Sequence, residues 1–411
     1  MRHPDAAGDL LDAFAALAAI GHDPGGTGWT RLAWTDEDRA ARAWFTGQAG
    51  SRGLDYERDR NGNLWAWWGD PGAGDALVVG SHLDTVPCGG AYDGALGVAA
   101  GFAAVSALGQ RGLTPRRPVA VAAFADEEGG RFGLATFGSR LLAGALDPGQ
   151  VLGRTDAGGV SVAEAVAADG LDPERLGPDP ERLAGIGRVL ELHVEQGRAL
   201  ADVPAPLGVA TGIWPHGRWR LVADGRADHA GTTRLPDRHD PALVLARAIE
   251  AGREEAERHG GVATIGRVEV HPNATNAIPG RITAWLDARA PRRIDLDALI
   301  DGWCAEVQAA AGRHGVTLAV QAESVSPAVS FDPELRGCLR AVLGRLGLPA
   351  PELPTAAGHD AGALAAAVPS GMLFVRNPSG ASHTPVEGAS DADCGTGVAA
   401  LAAAIEELAC R

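Results

Sequence analysis

The chain has 411 residues, beyond the size at which a single hydrophobic core keeps growing, so two domains are expected. Apolar residues make up 45% and aromatics 5% of it, with no run of about 18 apolar residues to span a bilayer, and Met1-Arg-His-Pro-Asp does not open like an export signal. A formal charge of 36 minus 52, or -16, repels phosphate backbones and anionic surfaces, which excludes nucleic acid and membranes as expected partners.

In chain order, helices are expected around Leu10–Ala19 and Glu37–Gly50, followed by a hairpin in which Leu54-Asp-Tyr and Leu64-Trp-Ala-Trp-Trp flank the turn Asn61-Gly62. The period of two between Trp65 and Trp67 reads as a half-buried strand rather than a ligand platform. Next come the apolar strand at Ala76–Gly80, an Ala- and Gly-rich helix from Gly94 to Leu108, and the strand at Val119–Phe124. Continuously apolar strands around a helix imply a largely parallel sheet covered on both faces. Residues 151–188, punctuated by Asp172-Pro, Gly177-Pro and Asp179-Pro, read as a surface connection. From Gly212 to Glu323 the text changes to three alternating strands beginning at Trp219, Ala263 and Arg281, with long helices at Pro241–His259 and Asp295–Arg313. The tail, with elements at Leu335–Leu346, Met372–Val375 and Ala392–Leu408, rejoins the first sheet. The fold class is therefore α/β, a mixed, largely parallel sheet flanked by helices, with an inserted α+β domain; residues 1–211 and 325–411 form the first domain and 212–324 the insert.

His82, Glu127 and His193 each follow an apolar strand directly, and parallel sheets gather ligands at the carboxyl ends of their strands. His82-Leu-Asp84, Asp93-Gly94, Glu127-Glu128, His193-Val-Glu195-Gln196 and Ser382-His383 together supply imidazoles and carboxylates for two divalent ions. Zinc suits such donors, and so do manganese, cobalt and nickel. Asp84, two residues beyond His82 on an extended backbone, is placed to accept the second imidazole N–H. Glu127 cannot easily face the same ion as Glu128, which leaves it as a proton acceptor and donor. The five cysteines, Cys88, Cys304, Cys338, Cys394 and Cys410, are odd in number and scattered, which fits a reducing cytoplasm.

At this order and spacing the motifs resemble the dinuclear zinc amidohydrolases of the aminoacylase and carboxypeptidase clan. His193-Val-Glu-Gln-Gly and Asp228-His229-Ala-Gly-Thr-Thr are similar to the branch holding N-carbamoyl-L-amino-acid hydrolases, allantoate amidohydrolases and ureidopropionases. The resemblance implies that His82 and His193 hold one ion, Glu128 and His383 the other, and Asp93 both. It implies a catalytic domain carrying Glu127 as general base with Asp84 behind His82, and a lid and dimerisation domain at 212–324. His229 would stabilise the oxyanion across the interface of a homodimer. Gln196, Asn276, Arg289 and, more peripherally, His216 and Arg376 would contact a small ureido or carbamoyl acid substrate. His216 departs from a glutamine of allantoate-processing relatives, and Arg376 would add a cation. Gly358-His359-Asp360 also matches the family without being ordinary ligands.

The implied activity is hydrolysis of a linear C–N bond in an N-carbamoyl amino acid or an allantoate-like ureido acid. An aminoacylase or dipeptidase of the same clan is the alternative, and a catalytically silent metal or small-acid binding protein a further one. Arg289 has a plainer reading too, as an ion-pair partner of Asp287 or Glu323.

Overall fold

A computed structural model describes residues 6–26 and 28–411 of the chain. They divide into two compact units, Met1–Gly212 with Ser330–Arg411, and Ile213–Val329.

The first unit is built on a nine-stranded sheet. Its order is Asp55–Arg58, Leu64–Trp68, Val119–Phe124, Ala76–His82, Ile186–Val194, Ser370–Val375, Leu207–Ile213 and Val329–Ser330, with Glu352–Thr355 also pairing to Leu207–Ile213. The four central strands, from Val119–Phe124 to Ser370–Val375, run parallel, and antiparallel strands flank them. Every residue of Ala76–His82 and Val119–Phe124 is buried, which a central strand covered on both faces requires and their unbroken apolar runs supply. The mixed α/β class expected from the sequence is thus the one observed. Helix Ala95–Gln110 is buried along most of its length and packs against Ala6–Ala18 and Asp391–Ile405. Its Phe102 meets Phe45 of helix Asp36–Ser51 with ring centroids 5.0 Å apart; Phe102→Ala would cost about 3–5 kcal/mol through the cavity left behind.

The hairpin pairs Asp55 with Trp67, and its connection is held by the Asp59 carboxylate, which accepts the N–H groups of Asn61 and Asn63 at 2.9 Å each. Trp65 and Trp67 stack and are buried, so they are core. Residues 151–188 correct an expectation. Instead of a plain surface connection they close a satellite core, in which Val151, Val162, Val166 and Leu176 pack with Trp34, Phe132 and Phe137. Its helix Val162–Ala168 is capped reciprocally by Ser161 and Glu164. The apolar residues there fall in pieces too short to show a period.

The second unit is a four-stranded antiparallel sheet in the order Thr317–Ser326, His216–Asp224, Arg281–Arg289, Val262–His271, one strand more than the three expected. Helices Pro241–His259 and Arg293–His314 share a core with one of its faces through Trp303, Val244, Leu221 and Leu286. Helix Pro241–His259 begins with Asp240 accepting the Ala242 N–H at 2.9 Å and Pro241 in the first turn, and ends at Gly260 in the left-handed region. On Arg281–Arg289, buried Ile282, Ala284, Leu286 and Ala288 alternate with half-buried Thr283, Trp285, Asp287 and Arg289. The polar set therefore shares the face opposite the helices.

Candidate metal centre

His82 ends strand Ala76–His82, His193 lies one residue from the end of Ile186–Val194, and Asp126–Glu128 follow Val119–Phe124. Because these strands are parallel neighbours, their chemistry collects at one carboxyl edge. Asp93 sits in the turn before helix Ala95–Gln110, where Gly94 is required twice over. Its φ is +64°, and a Cβ there would lie 2.5 Å from the His82 ring. His383 is in the loop between Ser370–Val375 and Asp391–Ile405.

Asp93 Oδ1 lies 3.3 Å from His82 Nε2 and 3.2 Å from His193 Nε2. Its other oxygen lies 3.5 Å from His383 Nε2, which is 3.3 Å from Glu128 Oε2. One carboxylate thus offers one oxygen to each of two ligand groups, His82–Asp93–His193 and Asp93–Glu128–His383. The Nδ1–H of His82 donates to the Asp84 carbonyl at 3.0 Å and that of His193 to the Val194 carbonyl at 2.8 Å, which turns both Nε2 lone pairs toward the cluster. Beyond these mutual approaches, His82 Nε2, Asp93 Oδ1 and Glu128 Oε1 are buried without a hydrogen-bond partner. Buried polar atoms are seldom left so, and imidazole nitrogens with carboxylate oxygens are the donors divalent cations take, so the residues present fit such ions.

The electrostatics agree. Burial lowers the imidazoles, but Asp93 and neighbouring carboxylates outweigh it, raising His82 well above its ordinary range and pushing His193 up to about 9. Burial would raise Asp93, yet the two imidazoles hold it well below the carboxylate range. Burial and then Asp93 push Glu128 up to about 8. Glu127 is raised well above its range by burial, which His82 opposes and the Asp360, Glu128 and Asp84 carboxylates reinforce. The cluster stabilises positive charge and resists further negative charge. Glu127 Oε2 lies 3.8 Å from His82 Nε2, and Gln196 Nε2 donates to Asp93 Oδ2 at 2.6 Å.

Residues 78–407 match the family described as Peptidase family M20/M25/M40. The chain belongs to this family. It is 36% identical over 396 residues to the N-carbamoyl-L-amino acid amidohydrolase of Geobacillus stearothermophilus and 31% identical over 396 residues to the allantoate amidohydrolase of Escherichia coli K12, covering 96% of each chain in both cases. A crystal structure of an amidase of the hydantoinase/carbamoylase family from Burkholderia vietnamiensis superposes with a TM-score of 0.89 at 31% identity, over 98% of both chains. M20 enzymes are metal-dependent, in keeping with these ligand groups and with a third, Glu191–His193–His359, that shares His193.

One expectation for this M20 chain is corrected. The Asp84 carboxylate is 3.6 Å from His82 Nδ1, whose proton goes to the Asp84 carbonyl instead. The carboxylate accepts the backbone N–H groups of Glu127 and Glu128 at 3.1 and 3.0 Å, so Asp84 orients the glutamate turn as well as the histidine. Arg376, expected to add a cation, is paired by Asp393, whose two oxygens accept from its guanidinium at 3.0 and 3.1 Å, as Asp287 pairs Arg289.

In the M20 insert the remaining residues fall into two couples. His229 pairs with Ala277 in a short two-stranded ladder, and the Ala230 N–H donates to the Asn276 carbonyl at 3.0 Å, which sets His229 beside Asn276. Its Nδ1 accepts the N–H groups of Gly231 and Thr232 at 3.0 and 3.1 Å, which places the imidazole proton on Nε2 as a donor. His216 lies opposite Arg289 in the sheet register, and the Arg289 guanidinium meets Asp287 at 2.8 and 3.3 Å. Burial, then Arg289 and Arg218, lower His216 against the Trp214 carbonyl and Asp287.

Of the groups beneath the centre, sequence reasoning noted Gly358-His359-Asp360 and missed Glu191 and Glu387. The His359 ring lies 4.5 Å from the His193 ring, and buried Glu191 accepts from Ser81 Oγ at 2.6 Å and the Ala361 N–H at 2.8 Å. Glu387 accepts the backbone N–H groups of Tyr92 and Asp93. Glu387 follows His383 within the same loop, which is the one signal the sequence held for it.

Proposed function

We infer that the protein hydrolyses a linear C–N bond in a small ureido or carbamoyl acid, an N-carbamoyl-L-amino acid or an allantoate-like compound. The observation that carries this reading is Asp93, one oxygen toward His82 and His193 and the other toward His383, with Glu127 beside the cluster. The names of the two amidohydrolase relatives support the substrate class.

His82, His193 and Asp93 would hold one divalent ion, and Asp93, Glu128 and His383 a second, with zinc the first choice and manganese, cobalt or nickel the others. Such ions polarise the scissile carbonyl and bring the pKa of water toward neutrality. Glu127 takes the proton as water adds to the carbonyl carbon and returns it to the leaving nitrogen as the C–N bond breaks. Asp84, through two amide hydrogen bonds, fixes the turn that aims Glu127. His229 donates from Nε2 to the oxyanion, and Arg289 with Asn276 receives the substrate carboxylate, for which a guanidinium is a planar bidentate match. Gln196 and His216 contact the ureido end. The insert serves as lid and dimerisation domain of a homodimer, His229 acting on the site of a second copy of this chain. The five free cysteines, Cys88 among them exposed, support a cytoplasmic setting.

The test is a panel of N-carbamoyl-L-amino acids, allantoate, N-acetyl amino acids and dipeptides, with zinc, manganese or cobalt added. Carbamoyl and ureido compounds are expected to release ammonia. Free amine from acetylated amino acids or dipeptides, with no ammonia from the others, would establish the aminoacylase or dipeptidase reading instead.

A further inference from the structure

The two ligand groups are secured differently. His82 and His193 belong to strands and are 1% and 0% exposed, whereas the His383 side chain is 47% exposed on a loop. Gln196 Nε2 lies 3.4 Å from His383 Nε2, and on the loop itself Glu387, 6% exposed, is placed to tie the turn after His383 to the Asp93 segment. Its Oε1 accepts the N–H groups of Tyr92 and Asp93 at 3.1 and 3.0 Å, joining segments about 300 residues apart in the chain. Its own N–H donates to the Thr384 carbonyl at 3.1 Å, and Thr384 Oγ1 accepts the Val386 N–H at 3.1 Å, so residues 384–387, directly after His383, form one closed turn. The carboxylate fits because residue 90 is glycine, since a Cβ on Gly90 would run into it.

We propose that Glu387 is a positioning residue that latches the His383 turn to the Asp93 loop, and so sets the retention of the cation shared by Asp93, Glu128 and His383 without governing the one on His82 and His193. This rests on the two-ion reading above. The latch works through acceptor geometry: both bonds end on one oxygen, which a glutamine also supplies.

The full-length protein, loaded with Zn2+, is dialysed against dipicolinate while zinc per chain is followed by mass spectrometry and folding by circular dichroism. Glu387→Ala is expected to release one zinc per chain about tenfold faster than the parent and the other at the parent rate, and Glu387→Gln to stay within about threefold of the parent. Gly90→Ala, which leaves Glu387 intact but fills its place, should follow Glu387→Ala. His383→Ala should hold one zinc, and adding Glu387→Ala to it should speed no further loss. Release of both ions at the parent rate, or of both equally fast, in Glu387→Ala and Gly90→Ala overturns the latch, as does Glu387→Gln failing like Glu387→Ala. A parent protein that binds one zinc or none overturns the two-ion reading instead. If Glu387→Ala does not fold, the Gly90→Ala release decides.

Discussion

The nine-stranded sheet carries its chemistry at the ends of buried strands, while the insert carries its own on the open face of a sheet. In the first, each strand-borne imidazole has its second nitrogen tied to a carbonyl, and the carboxylates crowd together with atoms left unsatisfied. In the second, charge is already balanced. Asp287 lies between Arg289 and Arg218, Glu323 pairs with Arg220, and the Arg267 guanidinium sits 4.1 Å from the Trp285 ring centroid. The unsatisfied edge gains from a cation whatever else is bound, whereas the balanced face yields a cation only to a ligand that competes with its own carboxylates.

The sharpest way to break this contrast is to remove metal. Chelation is expected to abolish turnover, with added zinc restoring it, and to loosen the first unit alone. At free metal about 100 times its Kd each ion contributes about 3 kcal/mol, so hydrogen exchange should speed at the ends of Ala76–His82 and Ile186–Val194 and stay unchanged in Arg281–Arg289. Equal deprotection of both sheets would erase the distinction.

Next in size is Glu127→Gln. Removing a positioned proton carrier costs about 10²–10⁴-fold, so kcat should fall by that much with zinc content and thermal midpoint intact. A variant that keeps more than a tenth of the parent turnover would take Glu127 out of its role.

The residues of the candidate centre were legible because each lies just past the end of an apolar run: His82 after Ala76–Gly80, Asp126 and its two glutamates after Val119–Phe124. Helix Pro241–His259 was legible from Asp240-Pro241 at its start and Gly260 at its end. What was illegible depends on partners far away in the chain. That Asp84 serves two amides of another strand's turn, or that Arg376 is met by Asp393, follows from tertiary packing alone. Strand Thr317–Ser326 escaped because it lies at a sheet edge, where Leu318 and Val320 pack against the core but residues 321–325 are all exposed, so the alternation is too short to read.

The smallest effects belong to the insert and test whether its balanced charge matters. Arg289→Lys keeps the charge and loses the planar fork; at about 1.5–3 kcal/mol for a charge-assisted pair, KM for a carbamoyl amino acid should rise about 10–100-fold with kcat little changed. Asp287→Asn removes the carboxylate that aligns Arg289 at 2.8 Å while leaving one acceptor, so KM should rise only severalfold. A substrate amide in place of the free acid should cancel both penalties, because neither side chain then has an anion to meet. Penalties that persist for the amide would make the Asp287–Arg289 pair a strut of the sheet, and the carboxylate would have to be received elsewhere.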